Sequence, residues 1–426
     1  MKRFAFAALV CFSATNAQAA DPGADCCHDL EQRIEELENT AARKGNRKIS
    51  LAVQGKVAEE VLYWDDGRSS NVYVTGMGTG AASYISFSGE AKIAKDVSAG
   101  FVLYMEAIDS DIFSITQKNP DGPGLYTGVK NAPQTFFSYW YLKSDQLGQL
   151  SVGKRQTADS QGPQTIDGSG TIWAAYWQAY NVYAFDVQGD IGAGEKLVWS
   201  QIGSCRGNGA GPGDCDSGRE EIIRYDSPTL AGFVATASWK PKRDSWALAL
   251  RYFNQNLGDL RVQGILSYSE SAMNWKNPLN NTFATDDRLN VWQVGTYVEH
   301  KPTGLFALGA WGRINQQVNK MNNPTTDTYY LKVGDRLKPT SLGHTIPFGE
   351  YLRSTDGVAI FDVNNTQGGA KVIEGSGTTI WGLGVAQEID DAAMLVWLRY
   401  RHHQVDVPGR NLEDADTFSF GSQISF

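Results

Sequence analysis

Thr417-Phe418-Ser419-Phe420-Gly421-Ser422-Gln423-Ile424-Ser425-Phe426 reads as a strand with one apolar and one polar face. Phe418, Phe420, Ile424 and Phe426 alternate with Ser419, Gln423 and Ser425, a period of two that sends successive side chains to opposite sides of a sheet. A soluble sheet can alternate in this way, but it has little use for an exposed aromatic as its last residue. In hydrocarbon an open strand edge is forbidden, so such a strand must pair with the first one and close a barrel, its last aromatic in the interfacial girdle. The segment therefore predicts a transmembrane barrel.

Composition agrees. The 426 residues include 45 Gly, 12 Trp, 18 Tyr and 18 Phe but only five Cys and five His, a mix that suits many short amphipathic strands joined by wet loops. Beyond the N-terminus no apolar run reaches the roughly 18 residues that a transmembrane helix needs. Net charge is −9, and losing Lys2 and Arg3 with an N-terminal leader takes it to −11, which argues against nucleic-acid binding.

Residues 1–19 have the order of a secretory signal: Lys2-Arg3, the apolar run Phe4 to Ser13, and Ala17-Gln18-Ala19 as the cleavage site. The expected mature start is Ala20-Asp21. Residues 20–47 form a separate N-terminal segment, in which Leu30, Ile34, Leu37 and Ala41 make a two-heptad apolar stripe with Asp29 as N-cap. A helix this short needs a partner. The expectation is a short parallel coiled coil, and the alternative is a helix lying on its own barrel. Cys26 and Cys27, adjacent in an exported chain, are expected to form interchain disulfides, while His28 beside them lacks the further ligands a metal would need. Cys205 and Cys215 flank a Gly-rich loop and are expected to bond within the chain.

The barrel is expected over 48–426. Alternation places strands near 49–63, 83–95, 98–108, 135–143, 148–156, 179–188, 195–203, 219–227, 231–240, 244–253, 260–271, 289–301, 304–314, 378–390, 393–406 and 417–426, sixteen in all. Tight turns such as Ser227-Pro228-Thr229, Lys301-Pro302-Thr303-Gly304 and Asp390-Asp391 alternate with long segments at 109–134, 157–177, 204–218, 272–288 and 315–377. That asymmetry is the mark of an outer-membrane barrel with short periplasmic turns, and an even strand number puts both termini in the periplasm.

Several stretches resemble the trimeric porins of alphaproteobacteria: Arg224-Tyr225-Asp226-Ser227-Pro228-Thr229-Leu230-Ala231-Gly232-Phe233, Trp246 to Tyr252, Gly148 to Arg155, and Cys26-Cys27 with Asp29 to Glu38. The resemblance implies an all-β, 16-stranded antiparallel homotrimeric porin for passive diffusion of ions and small hydrophilic solutes, seated among outer-membrane lipid and lipopolysaccharide. It also implies that the third outer loop, here about 157–177, folds into the lumen and narrows it.

Sixteen strands enclose water. The phase of the apolar residues sends Lys56, Glu60, Glu90, Lys92, Glu106, Arg155, Arg224, Arg251, Arg261, Arg313, Arg399 and Arg401 inward, a basic wall facing Asp159 and Asp167 on the narrowing loop. A transverse field there would orient polar solutes. Lys154 is expected to face outward, and Trp64, Tyr84, Trp140, Trp173, Trp381 and Phe418 to form the upper aromatic belt. Gly168-Ser169-Gly170-Thr171 is read as loop-to-strand chemistry shared with Gly375 to Thr378. No cofactor is expected. An enzyme would need a nucleophile paired with a His, and His300, His344, His402 and His403 offer no such constellation. The alternative function is structural: the Ala20-Asp21 start resembles barrel proteins whose N-terminal amine is joined to peptidoglycan, which would make Ala20 the attachment point.

Overall fold

The computed structural model describes residues 41–44, 47–78, 80–107, 112–120, 133–172, 174–175, 180–201, 218–241, 245–272, 288–318, 321–322, 324–362 and 371–426. It divides into two units, Met1–Leu51 and Ala52–Phe426. In the first, Ala41–Lys44 pairs antiparallel with Arg47 to Ser50 as a small hairpin. The expected coiled coil falls almost entirely outside the described residues.

Among the described residues of the second unit, sixteen strands close into a ring: β1 (Arg47–Asp65), β2 (Ser83–Lys92), β3 (Val97–Ala107), β4 (Gln134–Ser144), β5 (Gly148–Gln156), β6 (Arg219–Asp226), β7 (Phe233–Lys240), β8 (Ser245–Leu257), β9 (Leu260–Ala272), β10 (Arg288–His300), β11 (Leu305–Val318), β12 (Thr326–Asp335), β13 (Gly343–Thr355), β14 (Gly377–Ile389), β15 (Met394–Asp406) and β16 (Ala415–Ser425). Neighbours pair antiparallel throughout. The ring closes where β16 lies on β1, from Lys56 opposite Ser425 to Asp65 opposite Asp416, and the main chains of Gly55 and Phe426 exchange two 2.9 Å hydrogen bonds just beyond. Connections alternate between a short-turn rim and a long-loop rim.

The surface is inside out relative to a soluble protein. Val57, Leu248, Leu331, Leu383, Phe420 and Phe426 are exposed on the outer face, while Lys56, Glu60, Arg251, Lys332, Arg399 and Arg401 are buried on the inner one. Water cannot be the solvent of that outer face, because contiguous apolar surface on this scale is not left exposed by soluble monomers. Hydrocarbon fits it, with every strand edge paired.

Fourteen of the expected strands are found, and two are corrected. In the spans expected at 179–188 and 195–203, the described residues 180–188 and 195–201 are not wall strands: they hold two short 3₁₀ turns, Tyr180–Val182 and Trp199–Gln201, and the two-residue strand Glu195–Lys196. Val182, Tyr183, Ala184, Phe185 and Val187 are all buried, so the run has no lipid-facing side. In their place β12 and β13 lie within 315–377, which is expected to be loop. Tyr329, Leu331 and Val333 face out and Thr328, Tyr330 and Lys332 face in, but the flanking Lys, Asp, Thr and Gly residues mask the period. The connection between β5 and β6 is consequently much longer than expected, spanning 157–218.

That connection carries its own apolar packing. Ile166, Ala174, Ala175 and Tyr183 join Phe306, Leu308, Tyr330, Ile346, Phe348 and Ile380 of β11–β14 in one core. Val182, Phe185, Leu197 and Trp199 join Leu62, Trp64, Tyr73, Val358 and Val405 in a second. Trp64 is thus not a belt residue: it is 2% exposed, with Phe185 edge-on at 5.0 Å. Trp140, Trp381 and Phe418 are exposed on the outer face as expected, whereas Tyr84 faces inward.

A Cβ on Gly55 would fall 2.7 Å from a ring carbon of Phe426 and 2.8 Å from the Tyr84 carbonyl oxygen. Gly55→Ala is therefore expected to destabilise the closing pair by about 1–3 kcal/mol, as overpacking does. Urea unfolding of the barrel in lipid vesicles, followed by Trp fluorescence, checks it, and Gly309→Ala, where a Cβ meets nothing within 4 Å, is the control.

Candidate functional site

The inner wall and the segment that follows β5 make up the site. Cations on successive wall strands donate to main-chain carbonyls of that segment. Arg251 on β8 donates Nη2 to the Ala158 carbonyl at 2.7 Å and Nε to Thr165 Oγ1 at 3.3 Å. Gln293 on β10 donates to the Asp159 carbonyl at 3.1 Å, and Arg261 on β9 to that of Gly168 at 3.3 Å. Lys332 on β12 pairs with Asp167 and donates to Thr171 Oγ1 at 3.1 Å. Arg336, in the turn after β12, donates to the Ser169 carbonyl at 2.5 Å, and Arg399 on β15 to that of Ala174 at 3.1 Å.

Arg399 and Arg401 are tied down from the far side as well. Arg399 Nη2 reaches Glu60 Oε2 on β1 at 2.6 Å, and Arg401 Nε reaches Glu350 Oε1 on β13 at 2.7 Å. Asn181 bridges the two pairs: its Nδ2 donates to Glu60 Oε1 at 2.6 Å and its Oδ1 accepts from Arg401 Nη1 at 2.8 Å. Charges taken out of water this far are tolerated only when paired and hydrogen-bonded, and here one asparagine completes both pairs.

Of the residues expected to face one another across water, Asp159 and Asp167 are both buried. Asp167 is held by Lys332 and Asp159 lies in the segment tied to Arg251. Arg155 and Arg224 share Asp226, at 3.2 and 2.7 Å, and Arg224 Nη1 also binds the Gln156 carbonyl at 3.0 Å. Arg261 sits beside Glu299 at 3.4 Å. Lys56 is buried on the inner face near Tyr84, and Lys92 lies on the inward register of β2 at the short-turn rim, where it is exposed. Arg313 is corrected: it faces outward with Trp311 and pairs with Asp327 at 2.8 Å. Both faces of β11 are apolar, Phe306, Leu308 and Ile314 being buried inside, so its phase is ambiguous in the sequence. Lys154 faces outward and donates to the Thr135 carbonyl at 2.6 Å. Ala20, Cys26, Cys27, Cys205 and Cys215 lie outside the described residues.

The described residues close a sixteen-strand ring, apolar outside and charged within. Residues 5–426 match the Gram-negative porin family. The chain belongs to that family. Its porin fold recurs in solved structures of low sequence identity. The anion-selective porin from Comamonas acidovorans is 14% identical over 89% of this chain and 100% of that one, with a TM-score of 0.57. OmpF of Salmonella typhi, in complex with daunomycin, is 12% identical over 91% and 100%, with a TM-score of 0.52. OmpT of Vibrio cholerae in its trimer form is 12% identical over 89% and 99%, with a TM-score of 0.50. Among curated proteins none matches this chain. The porin is an outer-membrane diffusion channel.

Lys332, Arg336, Asn181, Gln293 and Glu350 belong to the same bonded network and are absent from the residues read from the sequence. Lys332 had a signal, since it alternates with outward Leu331 and Val333. The histidines are placed apart. His344 is on β13, not in a loop, with Glu388 Oε2 at 2.7 Å. His403 is buried against Trp199, ring centroids 5.5 Å apart. His402 faces outward between Asp416, at 2.9 Å, and Asp414, at 3.4 Å. Burial holds the Asp414 carboxyl above its ordinary range, with His402 pulling it the other way.

Arg401→Met leaves Glu350 charged and buried, and is expected to cost about 3–5 kcal/mol of barrel stability, while adding Glu350→Leu restores most of it. Denaturant midpoints of the two variants in vesicles make the comparison.

Proposed function

We propose that residues 157–201 fold into the lumen and set the narrowest part of the porin's water-filled path, through which ions and small hydrophilic molecules diffuse passively. One observation carries this reading. Ser169 accepts a hydrogen bond from Arg336, which lies in a short-turn connection, while the segment leaves β5 at the opposite, long-loop rim. A loop bound at both heights spans much of the barrel's depth. The packing of Ile166, Ala174 and Tyr183 against inner residues of β11–β14 supports the same placement.

In this reading the charges left half-exposed on the inner wall, Arg155 and Arg224 with Asp226, Arg261 with Glu299, and Arg336 with Glu388 and His344, meet the passing solute. Lys56, Lys92, Arg251, Arg399 and Arg401 then set the loop or the rim. The trimer form of Vibrio cholerae OmpT supports a homotrimer for this chain. The even strand number supports termini on the short-turn, periplasmic side. The stretches Arg224 to Phe233 and Gly148 to Arg155 support an alphaproteobacterial subfamily, with residues 1–19 as signal and 20–47 as a periplasmic segment. Catalysis has no support in the dispersed histidines.

Purified protein in a planar bilayer is expected to give stepwise conductance in groups of three. Removing 168–175 from the loop is expected to raise the conductance of each step. Silence from a folded, heat-modifiable sample would sink the channel reading, and unchanged steps after the deletion would sink the constriction.

A further inference from the structure

The hydrogen bonds that hold the loop land on β1, β6–β10, β12, β15 and the turn after β12. The inner face of β2–β4 carries something different. Tyr84 and Tyr104 stack with centroids 4.2 Å apart and planes at 23°. Tyr104 meets Phe137 at 5.4 Å, Phe137 meets Tyr139 at 6.4 Å, and Tyr139 meets Tyr141 at 6.5 Å. The register puts these rings on the inner side. Tyr104 lies opposite Ser86 and Tyr141 opposite Ser151, both buried, whereas the alternate residues Ile85, Phe101, Trp140 and Leu142 are exposed on the outer face. The five rings are themselves half-buried.

One glycine shows that the last ring of the run lies against the wall and does not stand off it. A Cβ on Gly100, opposite Tyr141, would run into the Tyr141 ring. The tip of the Tyr141 ring therefore reaches over bare backbone. Strand rise makes the run from Phe137 to Tyr141 about 13 Å long.

Cations flank the track. Arg155 stands over Tyr139 at 4.9 Å and Arg219 over Phe136 at 4.0 Å. Arg155 shares its only ion-pair carboxylate among the described residues, Asp226, with Arg224, so that group keeps a net positive charge. At the other end Tyr141 donates its hydroxyl to Glu90 at 2.8 Å. A solute with a flat face for the rings and an anionic group for the guanidinium fits this order.

We propose that Tyr84, Tyr104, Phe137, Tyr139 and Tyr141 form a stacking track for planar aromatic carboxylates, with Arg155 receiving the carboxylate. The proposal rests on the channel reading, and the ring faces supply what a uniform polar wall lacks. Aromatic pairs gain from offset or edge contacts beyond their buried area, and an arginine binds a carboxylate through paired donors.

The test uses the whole porin in planar bilayers, with benzoate, benzyl alcohol, cyclohexanecarboxylate and glucose as blockers. Block is read as a fraction of each variant's own open-channel current. Benzoate is expected to half-block at about fivefold lower concentration than cyclohexanecarboxylate, which carries the same charge without the flat ring. Tyr139→Leu with Tyr104→Leu is expected to erase that preference, and Arg155→Gln to weaken benzoate but not benzyl alcohol. Equal block by the two acids, a preference that survives the leucine variant, or glucose as the strongest blocker each overturns the track. Absence of any conductance from a folded barrel overturns the channel reading instead, and the track with it.

Discussion

A strand edge in hydrocarbon leaves its N–H and C=O groups without partners, each costing several kcal/mol, and the closing contact of β1 with β16 removes that cost here. Everything else follows from closure. The ring fixes an outside and an inside, period-two alternation assigns each side chain to one or the other, and lipid demands that the outside be apolar. Charge that a soluble domain would scatter over its surface is collected on the inner wall. Lys56, Glu60, Lys332, Glu350, Arg399 and Arg401 are all buried there.

An inner wall of charges needs its own partners, and the connection after β5 supplies them. Its main-chain carbonyls at Ala158, Gly168, Ser169 and Ala174 accept from wall guanidiniums, while Asn181 and Asp167 complete pairs that would otherwise be left with open valences. Buried ion pairs contribute little net stability, because desolvation offsets their attraction. They are strict about geometry, however, since a displaced partner strands a charge. A segment tied at this many points is held in place by directional bonds.

The wall was more legible in the sequence than the loop. Phe418 to Phe426 and Leu248 to Arg251 alternate cleanly because one face meets lipid and the other meets charge. The reading failed where a second protein layer covers the inner face: Phe306, Leu308 and Ile314 make β11 apolar on both sides, and the phase of Arg313 was lost with it. It failed again in the connection after β5, since Tyr183, Phe185 and Val187 look like a strand but are buried all round. The partners of Glu60 and Asp167 lie far away in sequence, at Arg399 and Lys332, and alternation carries no information on which inward charges meet.

The inner wall thus divides by chemistry. Along β8–β15 and across the closure to β1 it is built of cations, carboxylates and apolar residues that bind protein. Along β2–β4 it is built of aromatic rings, with guanidiniums stacked on them. The first kind of surface holds a segment still, because each of its bonds is directional and desolvated. The second kind holds nothing in one place: a ring face is broad, its contacts are weak individually, and successive faces a few ångströms apart let a bound group pass from one to the next. A diffusion channel needs both properties, rigidity where its width is set and shallow attraction where solute moves.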